Sequence, residues 1–181
     1  MKTKYIIALA AFVLFSAASS FAQGNIKDYS GTWNLNKDKS ELGERNPIED
    51  MTQTVTQDSE KITVERDVKV AERPGGNGDG NRGTRGGGRG MLGGSDTYTL
   101  DGKPVKEETE RGTLTRKAKN NDGKLELTQE REFNGPMGTM KMKTTETWTL
   151  SSDGKVLTIT SETESPRGSR KATLVFNKAE K

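Results

Sequence analysis

The chain has 181 residues with neither cysteine nor histidine, and its 29 Lys or Arg against 26 Asp or Glu give a formal net charge of +3. The two missing residue types exclude disulfide bonds, cysteine and histidine nucleophiles, a histidine general base and almost every zinc or haem site. The nearly balanced charge argues only weakly for a polyanionic partner. We therefore expect one domain with no metal, no cofactor and no nucleic-acid partner.

The N-terminus has the features of a secretory signal peptide. Lys2 and Lys4 precede an apolar run at residues 5–15, and Ser20 and Ala22 are the small residues that a signal peptidase reads. The run is shorter than the roughly 20 residues that cross a bilayer, so we expect cleavage after Ala22 and no integral membrane span. Removing 22 of the 181 residues leaves 159 and takes away two lysines and no acid, which lowers the formal charge to +1. The mature chain, residues 23–181, is predicted to be periplasmic or extracellular, and monomeric or weakly associated.

The mature chain alternates apolar and polar residues in short runs rich in Thr and Val, which is typical of β-strands. Asp-Gly-Lys occurs three times, and Asp-Gly supplies the positive φ that tight hairpins need, so we predict consecutive hairpins in an antiparallel meander. One short turn is expected within residues 37–44. The predicted fold class is all-β, an up-and-down barrel of about eight to ten strands. The strands are expected at residues 30–36, 51–57, 61–70, 96–101, 104–109, 112–119, 124–133, 139–150, 155–163 and 170–178.

Residues 74–94 form an insertion of different composition, since eleven of the twenty residues at positions 75–94 are glycine and three are arginine. Glycine loses the most backbone entropy on ordering, so we predict a flexible loop between two strands. Its letters match parts of a dinucleotide fingerprint, an EF-hand loop and an RNA-binding Arg-Gly segment. However, no helix follows to hold a pyrophosphate, and two of the positions that an EF-hand loop requires are occupied by other residues. An exported protein also does not routinely meet RNA. The alternative to a solvated loop is weak contact with acidic components of the cell envelope.

Charged side chains interrupt the otherwise apolar face of several predicted strands. These positions are Arg66, Arg116, Arg131 and Glu146. The hairpin turns predict a register in which Arg116 lies near Leu127, Leu127 near Glu146 and Glu146 near Ser161, while Arg131 lies near Met142. Three arginines against one glutamate predict a net positive interior.

Two interpretations of these charges are open. In the first, the arginines lie at the barrel rims, reach water or pair with Glu146. In the second, the surplus positive charge receives the anionic head group of a ligand, Tyr98 offers a hydroxyl, and an apolar tail lies against four inward side chains. Those four are Leu127, Met142, Trp148 and Ile159. The candidate ligand-binding residues are Arg66, Tyr98, Arg116, Arg131, Glu146 and Trp148.

Enzyme activity is not expected from this sequence. Carboxylates for glycoside chemistry are available in two clusters, and no serine stands in a nucleophile elbow. The carboxylates fall on the polar faces of the predicted strands or in loops, so solvated surface residues explain them better than catalysis does. The clusters are Glu107, Glu108 and Glu110, and Glu130 and Glu132.

Three stretches resemble exported bacterial lipocalin-like proteins. They are Ser-Gly-Thr-Trp-Asn-Leu-Asn at residues 30–36, the run from Glu146 to Ile159, and residues 173–178. The resemblance implies a calycin-type barrel in which Gly31 and Trp33 close one end, and it places Lys178 where the lipocalin pattern has an arginine. It also implies binding of a small, partly apolar molecule, and the residues above favour an amphiphilic or anionic one. The alternative is a non-enzymatic structural or interaction protein of the cell envelope with a self-filled barrel.

Overall fold

The computed structural model describes residues 26–43, 47–71, 93–110, 112–135 and 138–180. The predicted signal peptide and nearly all of the Gly/Arg-rich insertion lie outside these residues, so both remain predictions from the sequence. In the described part of the chain, no helix is long and apolar enough to cross a membrane.

Within the described residues, ten antiparallel strands form one sheet whose order is β4-β3-β2-β1-β10-β9-β8-β7-β6-β5. The strands are β1 (Gly31–Leu35), β2 (Ile48–Gln57), β3 (Lys61–Val70), β4 (Gly94–Thr99), β5 (Val105–Thr109), β6 (Gly112–Asn121), β7 (Lys124–Gly135), β8 (Gly138–Leu150), β9 (Val156–Ser165) and β10 (Gly168–Lys178). One 3₁₀ turn, Lys37–Lys39, follows β1. The all-β meander predicted from the alternation is confirmed, and it curves into a nearly closed barrel. The hairpin predicted at Asp101-Gly102-Lys103 is wrong, because this turn joins β4 to β5, which lie at opposite edges of the sheet and do not pair within the described residues.

The edges of the sheet, β4 and β5, are not paired with each other through their backbones. Side chains from β4 and β6 meet there instead, because Arg116 donates from Nε to Oδ1 of Asp96 over 2.9 Å. The barrel is therefore closed by backbone hydrogen bonds between successive strands and by a side-chain contact at this one seam.

The β6–β7 hairpin shows how a turn sets the register. Asp122 and Gly123 both have positive φ, 52° and 79°, as a type I′ turn requires, and they place Asn121 opposite Lys124. Counting back from that pair puts Arg116 opposite Gln129, so the predicted pairing of Arg116 with Leu127 is wrong by two residues.

The register on the other side of β7 agrees with prediction. Leu127 lies opposite Glu146, and Glu146 lies opposite Ser161. Arg131 lies opposite Met142. Hairpins joined by short turns transmit the register from strand to strand, which is why these neighbours were predictable.

Successive turns of a meander alternate between the two ends of the barrel, and the ends differ. The end that holds the β6–β7 and β8–β9 turns, here called the packed end, is filled by six large side chains that are almost inaccessible to solvent. They are Tyr29, Trp33, Leu125, Trp148, Leu157 and Phe176. Burying side chains of this size contributes about 1.5–3 kcal/mol each, before the loss of conformational entropy is counted.

Aromatic groups at the packed end satisfy their polar atoms internally. Trp33 donates from Nε1 to the backbone oxygen of Tyr29 over 3.0 Å, and the Tyr29 hydroxyl donates to the backbone oxygen of Trp148 over 3.2 Å. The Tyr29 and Trp148 rings meet edge to face at 5.7 Å. Lys178 Nζ lies 5.1 Å from the centre of the Trp33 ring, and Gly31 has a φ of +136°, which residues with a side chain rarely adopt. Gly31 and Trp33 therefore lie at the packed end, with Trp33 fully buried.

Candidate functional site

A cavity of about 60 Å³ lies between the packed end and the opposite end, here called the polar end, where the β7–β8 and β9–β10 hairpins turn. Its polar walls are formed by Arg66, Asp96, Tyr98, Gln129, Arg131 and Glu146. Four of the six predicted ligand-binding residues therefore line one space. The other two, Arg116 and Trp148, hydrogen-bond to its walls.

The central contact of this site is an ion pair across the barrel. Arg66 on β3 donates from Nη2 to Oε2 of Glu146 on β8 over 2.7 Å, and both side chains are 16% exposed. The same carboxylate oxygen accepts a hydrogen bond from Trp148 Nε1 over 3.0 Å. Gln53 holds the other side of the guanidinium, since its Oε1 accepts from Arg66 Nε over 3.0 Å.

The ion pair offsets the burial of the Arg66 charge. Burial lowers the pKa of Arg66, and the facing carboxylate of Glu146, together with Tyr98 and Asp96, raises it by more, so that the pKa is raised overall. A buried guanidinium without such a partner would be costly to fold around.

A second ion-pair network closes the seam between β4 and β6. Oδ1 of Asp96 accepts from Arg116 Nε and from Gln129 Nε2, each over 2.9 Å. Arg116 also donates from Nη1 to Oε2 of Glu107 on β5 over 2.8 Å. Burial opposes the charge on Arg116, while its hydrogen bonds to Glu107 and Asp96 raise its pKa overall. Arg116 thus pairs with Asp96 and Glu107. The prediction that Arg116 lies near Glu146 is wrong.

The charge of the cavity also differs from the sequence expectation. Two arginines, Arg66 and Arg131, face two carboxylates, Asp96 and Glu146, so the walls are formally neutral rather than net positive. The sequence analysis missed Asp96 because β4 is a sheet edge whose position relative to β6 no hairpin turn sets. The sequence did contain a signal for Asp96: it lies two residues before Tyr98, so alternation places both side chains on the inward face of β4.

Arg131 and Tyr98 complete the polar wall. Arg131 donates from Nε to Oε1 of Gln129 over a long 3.3 Å and is only partly buried. Tyr98 is buried, and this burial, followed by the nearby carboxylates of Glu146 and Asp96, raises the pKa of its phenol, so that it is neutral at physiological pH.

The predicted path for an apolar tail is already filled. Leu127, Trp148 and Ile159 belong to the buried core cluster, while Met142 is half-buried nearer the polar end. Since the cavity measures about 60 Å³ and drug-sized ligand sites occupy roughly 300 Å³ or more, no chain-length tail fits between these three core residues. The prediction of a tail there is wrong because the packed end fills itself with aromatic side chains.

Three of the five carboxylates considered for glycoside chemistry form ion pairs, and none of the five lines the cavity. Glu108 pairs with Lys106, and Glu132 pairs with Lys141. Within the described ranges, no group of three or more acidic, His or Cys side chains is arranged to hold a metal ion.

Comparison with known proteins identifies the fold. No protein-family model matches the chain, and no curated protein matches its sequence. Among solved structures, secretory abundant heat soluble protein 4 from Ramazzottius varieornatus has 12% sequence identity and a TM-score of 0.50, covering 87% of this chain and 99% of its own. The two proteins share the fold of an antiparallel, lipocalin-like β-barrel.

Two further solved structures are similar at lower scores. A secretory abundant heat soluble (SAHS) protein from the same organism has 11% identity and a TM-score of 0.49, covering 86% of this chain and 98% of its own. The zebrafish ileal bile acid-binding protein, solved with cholic acid, has 14% identity and a TM-score of 0.46, covering 83% and 98%. At such identities the likeness concerns the backbone fold, and the site must be argued from this chain's own residues.

Proposed function

We propose that this protein is a non-catalytic binding protein for a small anionic or amphiphilic molecule, held at the polar end of the barrel. The observation that carries the proposal is that two inward arginines, Arg66 and Arg131, line one cavity together with the neutral donors Tyr98 and Gln129. Guanidinium groups are suited to carboxylate and phosphate recognition, because their donors match both oxygens of such a group.

The size of the cavity sets which part of a ligand enters. About 60 Å³ holds a few water molecules or one small head group. An attached apolar portion would therefore lie outward from the cavity, along inward side chains that are only half-buried. Phe133 and Met142, on paired strands next to Arg131, are such residues.

The second candidate function is a structural or interaction protein of the cell envelope with a self-filled barrel. The observation in its favour is the completeness of the packed end, where side chains and not a ligand fill the interior. In that case the paired charges would serve the fold alone.

A fluorescent fatty acid distinguishes the two functions. We expect Arg131→Met to weaken probe binding by about tenfold or more, because one charge-assisted contact contributes roughly 1.5–3 kcal/mol. The matched control is Arg167→Met, which removes the same charge from the exposed β9–β10 turn and should leave affinity unchanged. No binding by the native chain, or equal affinity in both variants, would favour the self-filled barrel.

Export is part of the proposal and rests on the signal sequence of residues 1–22. The intact mass of the protein recovered from its native source should correspond to a chain that begins at Gln23. A mass that includes the first 22 residues would contradict an exported binding protein.

A further inference from the structure

The carboxylate of Glu146 is the anionic partner of Arg66 in the structure. It lies against the cavity, and its Oε2 accepts from Arg66 over 2.7 Å and from Trp148 over 3.0 Å. An incoming carboxylate would use the same guanidinium, which is the most deeply placed cation of the cavity wall.

Gln53 fixes the orientation of the Arg66 guanidinium. Gln53 is fully buried and fixes Arg66 Nε through its Oε1, while its own Nε2 has no hydrogen-bond partner within the part of the chain that the structure describes. The hydrogen bond from Arg66 Nε to Gln53 and the ion pair from Nη2 to Glu146 together fix the orientation of the guanidinium beside the cavity.

We propose that Glu146 is an internal competitor for the anionic ligand, so that a ligand carboxylate binds Arg66 by displacing the Glu146 carboxylate. This inference rests on the proposed function and adds the class of the recognised group, a carboxylate, and the residue that limits its affinity. Because the cavity walls are formally neutral, an anion gains little from net charge and must exchange partners to bind. Removing the charge of Glu146 leaves the walls with a surplus of one positive charge.

Glu146→Gln tests this competition, because the amide keeps an oxygen for Trp148 and Arg66 while it loses the charge. The probes are a fluorescent fatty acid and its methyl ester. We expect the variant to bind the acid at least tenfold more tightly than the native chain does, with little change for the ester. Glu162→Gln is the matched control, since it removes the same charge from an exposed ion pair with Lys171 and should change neither affinity.

Two further variants make the test decisive. Asp96→Asn removes the other cavity carboxylate, and a gain as large as that of Glu146→Gln would assign the effect to net charge and overturn the competition. The double variant Arg66→Met/Glu146→Gln leaves no buried charge stranded and keeps Arg131, and we expect its preference for the acid over the ester to be at least tenfold smaller than that of Glu146→Gln. A preference for the acid as large as that of Glu146→Gln would show that Arg66 is not the anion receptor.

The outcomes separate this inference from the proposed function. If the native chain binds the acid and Glu146→Gln binds it no better, the competition is wrong and the binding function stands. If only Glu146→Gln binds the acid, the competition is supported, and the native chain is not the binding protein proposed above. If neither binds, both proposals fail.

Discussion

The two ends of the barrel are built from the same strands and differ in how their inward residues are satisfied. At the packed end, Phe176 and Trp148 are fully buried among other large side chains. Toward the polar end, Phe133 is only half-buried, and Arg66 and Glu146 pair with each other across the interior. One end is therefore stabilised by exclusion of water and close packing, and the other by charge pairs that need specific partners. A ligand can exchange with a charged partner more readily than with a packed aromatic ring.

The largest expected effect is the loss of packing at the packed end. Phe176→Ala should lower the free energy of unfolding by about 3–5 kcal/mol, because it removes a fully buried ring and leaves a cavity. The matched substitution toward the polar end, Phe133→Ala, should cost less than about half as much, since that side chain is half-buried. Chemical denaturation of both variants measures the difference. Equal losses would contradict the distinction between the two ends.

The next effect concerns the ion pair that crosses the barrel. Glu146→Ala should destabilise the protein by about 3 kcal/mol, because it leaves the guanidinium of Arg66 buried without its partner. The double variant Arg66→Met/Glu146→Gln should recover most of that loss, since neither charge then remains inside. A double variant as unstable as Glu146→Ala would show that packing, and not stranded charge, accounts for the loss.

A smaller effect is expected at alkaline pH, where Tyr98 reports on the boundary between the two ends. Its folded-state pKa is raised above the ordinary value of 10.0, first by burial and then by Glu146 and Asp96. Below about pH 10 the phenol is protonated in the folded and in the unfolded chain, and the contribution of Tyr98 to the free energy of unfolding is fully present. Above that pH the unfolded chain loses the proton first, so the free energy of unfolding falls as the pH rises. Tyr98→Phe should remove up to about 1.4 kcal/mol of that fall per pH unit.

Denaturation curves at about pH 9 and pH 11 measure this contribution as a difference between native and variant chains. If the free energy of unfolding falls by the same amount between these two pH values in the native chain and in Tyr98→Phe, Tyr98 is not shielded from water in the folded state.

The smallest effect is expected on the outer face. Lys171 pairs with Glu162 at 3.3 Å, and its side chain is 71% exposed. Lys171→Ala should change the free energy of unfolding by less than about 0.5 kcal/mol, because solvent screens such pairs. A change near 2 kcal/mol would contradict this, because it would mean that an exposed ion pair stabilises the protein nearly as much as the buried pair of Arg66 and Glu146.

Much of the fold was predictable because its signals are local. Alternation located the ten strands of the described residues, and Asp-Gly turns located the β6–β7 and β8–β9 hairpins but not the unpaired turn between β4 and β5. Strand ends were less predictable: β2 begins at Ile48 and not at Met51, with an irregularity in its pairing between Ile48 and Asp50. A bulge breaks the alternation from which a strand is recognised.

The candidate site was only partly predictable, for a different reason. The inward direction of Arg66, Arg131 and Glu146 follows from alternation, and the structure places all three on one cavity. The importance of Asp96 did not follow, because it faces Arg116 across the one seam where no backbone pairing connects the strands.

The sequence by itself determined the ten strands, the turns between most of them and the side of the sheet on which each residue lies, because periodicity and turn chemistry act over a few neighbouring residues. Only the tertiary structure decided that Arg66 meets Glu146 and that Arg116 meets Asp96, since these contacts join strands that are not neighbours along the chain. It also decided how much space the barrel encloses. Interior volume depends on how all the inward side chains pack together, and no local pattern specifies that.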